Sequence, residues 1–91
     1  MVRRREETRI VMDILGVSLK GIRLTHLMYR ANLSYSTLRK YLCAMLGQGL
    51  IKKTESNGSS VYLTTEKGRE LLNDLMKIKS ASLFDQSLLD Q

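Results

Sequence analysis

Residues 24–51, LTHLMYRANLSYSTLRKYLCAMLGQGLI, contain two helical patterns separated by a break. Leu24, Leu27 and Met28 recur at helical spacing, Asn32 tolerates left-handed backbone, and Ser34 stands where a helix N-cap is wanted. The spacing predicts a short helix, a turn over Asn32–Ser34 and a longer second helix. In the second helix Leu38, Leu42 and Met45 fall on one face, with Tyr41 and Leu46 beside them, because each residue advances about 100°. The opposite face shows Ser36, Lys40 and Cys43, flanked by Thr37 and Arg39. Gly47 and Gly49 are expected to end this helix, since glycine accepts the positive φ of a C-terminal cap.

Two helices joined by a tight turn form a helix-turn-helix unit. Ser, Thr, Arg and Lys side chains hydrogen-bond base edges and phosphates, and the first turn of a recognition helix reaches deepest into the major groove. The stretch therefore points to double-stranded DNA, with Ser34, Tyr35, Ser36, Thr37, Arg39 and Lys40 as candidate contacts. Tyr35 has two readings: stacking on sugar or methyl groups, or partial burial, since it lies near the apolar face. For Arg39 and Lys40 the competing reading is an ordinary solvated helix face.

Downstream, Leu50–Glu55 alternates like a strand, Ser56–Ser60 reads as a loop, and Val61–Thr64 is a second β-prone run. Asn57-Gly58 signals a hairpin because both residues tolerate the positive φ of a type I′ turn. Such a hairpin after a helix-turn-helix is a wing. Lys52 and Lys53 at its base, with Asn57 and Ser59 at its tip, are candidates for phosphate or minor-groove contact, against the alternative of a hairpin that merely closes the domain. Upstream, Ile22–Leu24 suggests a short strand pairing with that hairpin. His26 has no partners for a metal or catalytic group and reads as an exposed or half-buried helix histidine. Ile10, Val11, Ile14, Leu15 and Val17 form the apolar stripe of a first helix, preceded by a frayed, charged Val2–Glu7. Arg3, Arg4 and Arg5 are either a basic arm on phosphates or a solubilising terminus.

Thr65 is placed to cap a last helix with Glu66 in its first turn. Leu71, Leu72, Leu75, Met76 and Ile78 occupy more than one face of it. Burying each such side chain is favourable by roughly 1.5–3 kcal/mol, and a small monomer has little left to cover them. This predicts a homodimer, with Leu72, Leu75, Met76, Ile78, Leu83 and Phe84 as candidate contacts. Lys79 and Ser82 interrupt a clean heptad, and Ser80–Ser82 reads as a joint, giving a domain over residues 1–79 and a tail or dimerisation extension over 80–91.

A chain of 91 residues suits one domain. Its net charge is +6, with a pI near 9.8. Up to Lys53 there are 11 basic and 3 acidic residues, and no acid lies between Asp13 and Glu55, so the helix-turn-helix is expected to carry an unopposed positive field. One cysteine and one histidine leave no disulfide framework and no zinc ligand set. No apolar run approaches the ~20 residues of a membrane span, and no signal-peptide core follows the arginines. The expectation is a cytoplasmic, nucleoid-associated protein. With no nucleophile, base and orienting group together, it is read as neither an enzyme nor the binder of a metal, cofactor or inferable small ligand.

The blocks ANLSYSTLRKYLCAMLGQGLIKK and VYLTTEKGRELL, joined by the Asn-Gly hairpin, resemble the small archaeal winged-helix DNA-binding proteins, including chromatin-associated dimers and plasmid- or virus-encoded relatives. The resemblance covers Ile10–Met76, and both blocks recur in several bacterial winged-helix regulators. It implies a mainly α fold with a small β-hairpin and an extended C-terminal helix, binding duplex DNA through Ser34–Lys40 with the wing as an accessory contact. In some similar proteins the final helix forms an antiparallel coiled coil, a pattern this chain leaves after Ile78. Three functions follow as expectations: a transcriptional regulator, a sequence-tolerant architectural protein, or a protein-interaction module.

Overall fold

The computed structural model describes the backbone of residues 2–89 and the side chains of residues 6–78. The elements are α1 (Val2–Val17), β1 (Ile22–Arg23), α2 (Leu24–Ala31), α3 (Tyr35–Gly47), β2 (Ile51–Ser56), β3 (Ser59–Thr64) and α4 (Glu66–Leu89). The strands form an antiparallel sheet in the order β1-β3-β2. Ile22 lies opposite Tyr62 and Arg23 opposite Val61, while the β2–β3 ladder runs from Ile51 opposite Thr64 to Ser56 opposite Ser59. This is the mainly helical winged fold that the sequence pattern predicts.

One core explains the periodicities. Ile14 and Leu15 of α1, Leu27 of α2, Leu38, Leu42 and Met45 of α3, and Leu50 and Ile51 at the start of the hairpin are buried together. Ile10, Val11, Val17, Leu71 and Leu72 pack against them. Each α3 residue in this set is one or two turns from the next, so the same packing that buries Leu38, Leu42 and Met45 turns the other side of α3 outward.

Two backbone details fix the turns. Asn32 adopts φ 56°, and the N–H groups of Asn32 and Leu33 donate to the Tyr29 and Met28 carbonyls, closing α2 in a left-handed cap. At the hairpin Asn57 and Gly58 have φ 53° and 78°, the two positive values of a type I′ turn. The connection is therefore only these two residues. Ser56, Ser59 and Ser60, expected in a longer loop, belong to the strands because the tight turn keeps the ladder in register to its end.

Gly47 and Gly49 end α3 as expected: Gly47 is its last residue, and the left-handed cap falls on Gly49 (φ 75°), where the Leu50 N–H reaches the Met45 carbonyl at 2.9 Å. Two other expectations are corrected. The helical backbone of α1 begins at Val2, where a frayed segment was expected. At the other end α4 runs unbroken through Ser80–Ser82, where a joint was expected; neither glycine nor proline follows Gly68, so nothing in the local chemistry stops the helix. The expected dimer contacts Leu83 and Phe84, and the Arg3–Arg5 arm, lie outside the described side chains.

The far end of α3 is tied to α4. Thr65 caps α4 by accepting from the Gly68 N–H at 3.1 Å, and its hydroxyl donates to the Gly49 carbonyl at 2.5 Å. Its own N–H donates to the Leu50 carbonyl at 3.0 Å, and Lys67 Nζ donates to the Gln48 carbonyl at 2.7 Å. Carbonyls left unpaired by the end of α3 thus find partners at the cap and in the first turn of α4, with a cation at the negative end of the α3 dipole.

Buried polar groups are almost all paired. Thr64 Oγ1 donates to the Leu15 carbonyl at 2.7 Å, and the Thr64 N–H to the Ser18 carbonyl at 3.0 Å, locking β3 to the end of α1. Ser18 Oγ is the exception among the described residues: it is fully buried and has no hydrogen-bond partner. Ser18→Ala removes that cost and leaves the backbone bonds intact, so we expect it to raise stability by about 1 kcal/mol in thermal or urea unfolding.

Candidate nucleic-acid interface

The outward side of α3 begins with its cap. Ser34, in extended conformation, accepts from the Thr37 N–H at 3.3 Å and donates to Thr37 Oγ1 at 3.0 Å. Both hydroxyls are thereby engaged in starting the helix, and Thr37 is half-buried. Ser36 Oγ stands at the edge of this cluster, 3.4 Å from Ser34 Oγ, while Arg39 and Lys40 take no part in the cap. Ser34→Ala is expected to lower stability by about 1 kcal/mol by freeing that N–H, measurable by thermal unfolding.

Ser36, Arg39, Lys40 and Cys43 are exposed and share the side of α3 facing away from the core. Tyr35 is 47 % exposed, covered on one side and open to solvent on the other. Its hydroxyl accepts a hydrogen bond from Arg39 Nη1 at 3.1 Å, one helical turn on. That bond, with the neighbouring Cys43 as a smaller contributor, raises the Arg39 guanidinium above its ordinary value. One of five guanidinium N–H donors is occupied, and the rest stay available on a side chain whose swing is restricted.

The electrostatics differ in one respect from the linear count of charges. Tyr41, midway along α3, has its hydroxyl pushed up by partial burial and by the nearby carboxylates of Glu7 and Glu6. Two acids of α1 thus stand beside α3, so the positive field expected to be unopposed is opposed on that flank. The long acid-free stretch of sequence concealed this because folding returns α1 to α3.

The wing separates its two lysines. Side chains alternate along a strand, so Lys53 shares the face of the buried Ile51, which looks toward α3, and Lys52 lies on the other face with Thr54 and Ser56. Both are exposed. Asn57 is exposed at the tip, whereas Ser59 is half-buried and pairs with Ser56 at the foot of the turn; the tip is Asn57–Gly58.

On α4, Leu72 packs in part against the chain's own core. Leu75 is half-buried, while Met76 and Ile78 are exposed at 52 % and 62 %. Among the described residues no helix is long and apolar enough to cross a membrane.

A family model described as winged helix-turn-helix matches residues 4–82. The chain belongs to the winged helix-turn-helix family. Among curated relatives it is 34 % identical over 76 residues to the uncharacterized protein MJ0290 of the archaeon Methanocaldococcus jannaschii, covering 82 % of this chain and 34 % of that one. It is 28 % identical over 76 residues to the uncharacterized protein MJ0287 of the same organism, covering 82 % of this chain and 74 % of that one. This winged helix therefore spans about a third of the length of the first relative and three quarters of the second.

Two solved structures share its fold. Sso10a-2, a DNA-binding protein from Sulfolobus solfataricus, superposes with a TM-score of 0.70 at 24 % identity, over 91 % of this chain and 90 % of the other. The MarR family transcriptional regulator SPO1453 from Silicibacter pomeroyi gives 0.60 at 21 % identity, over 92 % and 58 %.

Proposed function

We propose that this winged helix binds double-stranded DNA as a transcriptional regulator, with the outer side of α3 in the major groove. The observation that carries the reading is Arg39, exposed between Ser36, Lys40 and Cys43 and restrained by the Tyr35 hydroxyl. A guanidinium held in one place can make the bidentate contact to the guanine edge that is the commonest specific contact in the major groove. Lys40, next to it on α3, and Lys53, on the wing, would orient the helix on phosphates, which carry no sequence information. The DNA-binding and regulatory descriptions of the two structural neighbours agree with this reading. No part of it calls for catalysis or a cofactor.

The exposed Met76 and Ile78 favour a homodimer through the outer side of α4. Two recognition helices presented by such a dimer require half-sites roughly 34–36 Å apart. A second reading, a sequence-tolerant architectural protein of the nucleoid, draws on the net charge of +6. A protein-interaction module would instead use the apolar side of α4. Selection of bound duplexes from a random pool at two salt concentrations separates the three. The regulator enriches one motif at both salts, the architectural protein binds the pool uniformly and releases it with salt, and the interaction module retains no duplex even at low salt.

A further inference from the structure

The wing leaves one strand edge open. In the order β1-β3-β2 only β3 lies beside β2, so the far side of β2 has no strand on it among the described residues. The hairpin fixes which backbone groups face that side. A two-residue turn makes Ser56 and Ser59 a hydrogen-bonded pair, so Thr54–Val61 and Lys52–Leu63 are hydrogen-bonded as well, and Ile51, Lys53 and Glu55 turn their N–H and C=O groups away from β3. The same phase is visible on the other side of the hairpin: Thr64, opposite Ile51, directs its N–H out of the β2–β3 ladder to the Ser18 carbonyl. Lys53 and Glu55 are exposed, and they lie on one face of β2.

An open edge of this kind is a template for another strand. Charge decides which strand fits. A second copy of β2 adds antiparallel about a two-fold axis perpendicular to the sheet, and the axis passes through one residue that then faces its own copy. An axis at Lys52 or Lys53 sets lysine against lysine, and an axis at Glu55 sets carboxylate against carboxylate, arrangements that like charges oppose. An axis at Thr54 sets threonine against threonine, a favourable cross-strand pair, and brings Lys53 opposite Glu55 of the second copy on both sides of the axis. These two pairs are formed by the residues whose backbone groups face outward, so each exchanges both N–H···O bonds. Ser60 Oγ donates to Glu55 Oε2 at 3.1 Å, which steadies the carboxylate and leaves Oε1 for the lysine. The register that satisfies the backbone is thus also the one that satisfies the charges.

We propose that the β2 edge is a self-association surface on which two copies of this chain join their wings, in the register centred on Thr54, into one continuous sheet. The surface is separate from the outer side of α4. Because the axis is perpendicular to the sheet, both copies keep α3 on the same side of it, the side of the buried Ile51. A contact of so few residues is weak between free molecules and gains from whatever holds two copies close together, such as a common polyanion.

The test is disulfide trapping. Cys43 is the only cysteine, so the full chain with Cys43→Ser carries no thiol. In that background Thr54→Cys puts one thiol at the axis, where the facing Cα atoms of a non-hydrogen-bonded pair stand about 4.5 Å apart, within reach of a disulfide. Ser56→Cys puts its thiols four residues apart along the strands, roughly 13 Å, beyond that reach. With diamide as oxidant and dimer followed on non-reducing gels, Thr54→Cys is expected to cross-link at least about tenfold faster than Ser56→Cys. Adding Glu55→Lys to Thr54→Cys sets lysine opposite lysine and is expected to slow the reaction roughly tenfold, and adding Lys53→Glu as well exchanges the charges and restores it. Equal rates for Thr54→Cys and Ser56→Cys, or a charge exchange that fails to restore the rate, overturn the wing pairing. The measurement involves no DNA, so either failure leaves the reading of α3 where it stands.

Discussion

Gly68→Ala is expected to destabilise the domain by roughly 2–3 kcal/mol and to lower its melting temperature by about 10–20 °C in thermal unfolding. On propensity alone the change would help, since alanine in a helix is favoured over glycine by about 1 kcal/mol. Space decides otherwise. A Cβ on Gly68 would overlap the Leu50 backbone oxygen, and would lie 2.8 Å from Thr64 Cγ2 and 3.1 Å from Leu15 Cδ2. The oxygen cannot swing aside like a side-chain tip, because it is part of the backbone entering β2 and accepts the Thr65 N–H. Relief requires α4 to lift from the hairpin, breaking the Thr65 and Lys67 bonds that secure the end of α3. An unchanged or higher melting temperature would mean that α4 does not sit against the Gln48–Leu50 segment as described.

Arg39→Ala is expected to weaken binding to a selected duplex by about 1–3 kcal/mol and to blur the preference at one base position. The size follows from losing a charged, pre-positioned donor; a solvated lysine or arginine on an idle helix face would change little. Tyr35→Phe keeps the ring and removes only the acceptor of the 3.1 Å bond, so it should produce a smaller loss at the same base position. Because the tyrosine acts through the arginine, the two losses should not add: in the Arg39→Ala background Tyr35→Phe should have almost no further effect. Additive losses in an anisotropy-based double-mutant cycle would assign Tyr35 its own contact with DNA.

Much of this was legible in the residues themselves. The apolar spacing of Leu38, Leu42 and Met45 gave α3 its inner side, and Asn32, Ser34, Asn57 and Gly58 marked the turns, because local backbone preference and helical period act over a few residues. What the sequence withheld depends on distant parts of the chain. The clamp from Thr65 and Lys67 onto Gln48 and Gly49 joins groups 16 and 19 positions apart, and the need for glycine at 68 comes from a strand 18 residues earlier. The acids Glu6 and Glu7 reach Tyr41 only after α1 folds back. At the site, Ser36, Arg39 and Lys40 were placed outward by period alone. The engagement of Ser34 with Thr37 and of Tyr35 with Arg39 was within reach of an i, i+3 and i, i+4 reading, but which hydroxyl was spent on capping required coordinates. Lys52 and Lys53 look equivalent in sequence, and strand alternation separates them.

The claim that α3 presents its outer side to DNA is tested most directly by NMR, following backbone and side-chain signals of the labelled protein as a selected duplex is added. The largest changes are expected on Ser36, Arg39, Lys40 and Cys43, with smaller ones at Lys53 and Asn57. Changes concentrated on Met76 and Ile78, with the outer side of α3 unperturbed at saturation, would contradict it.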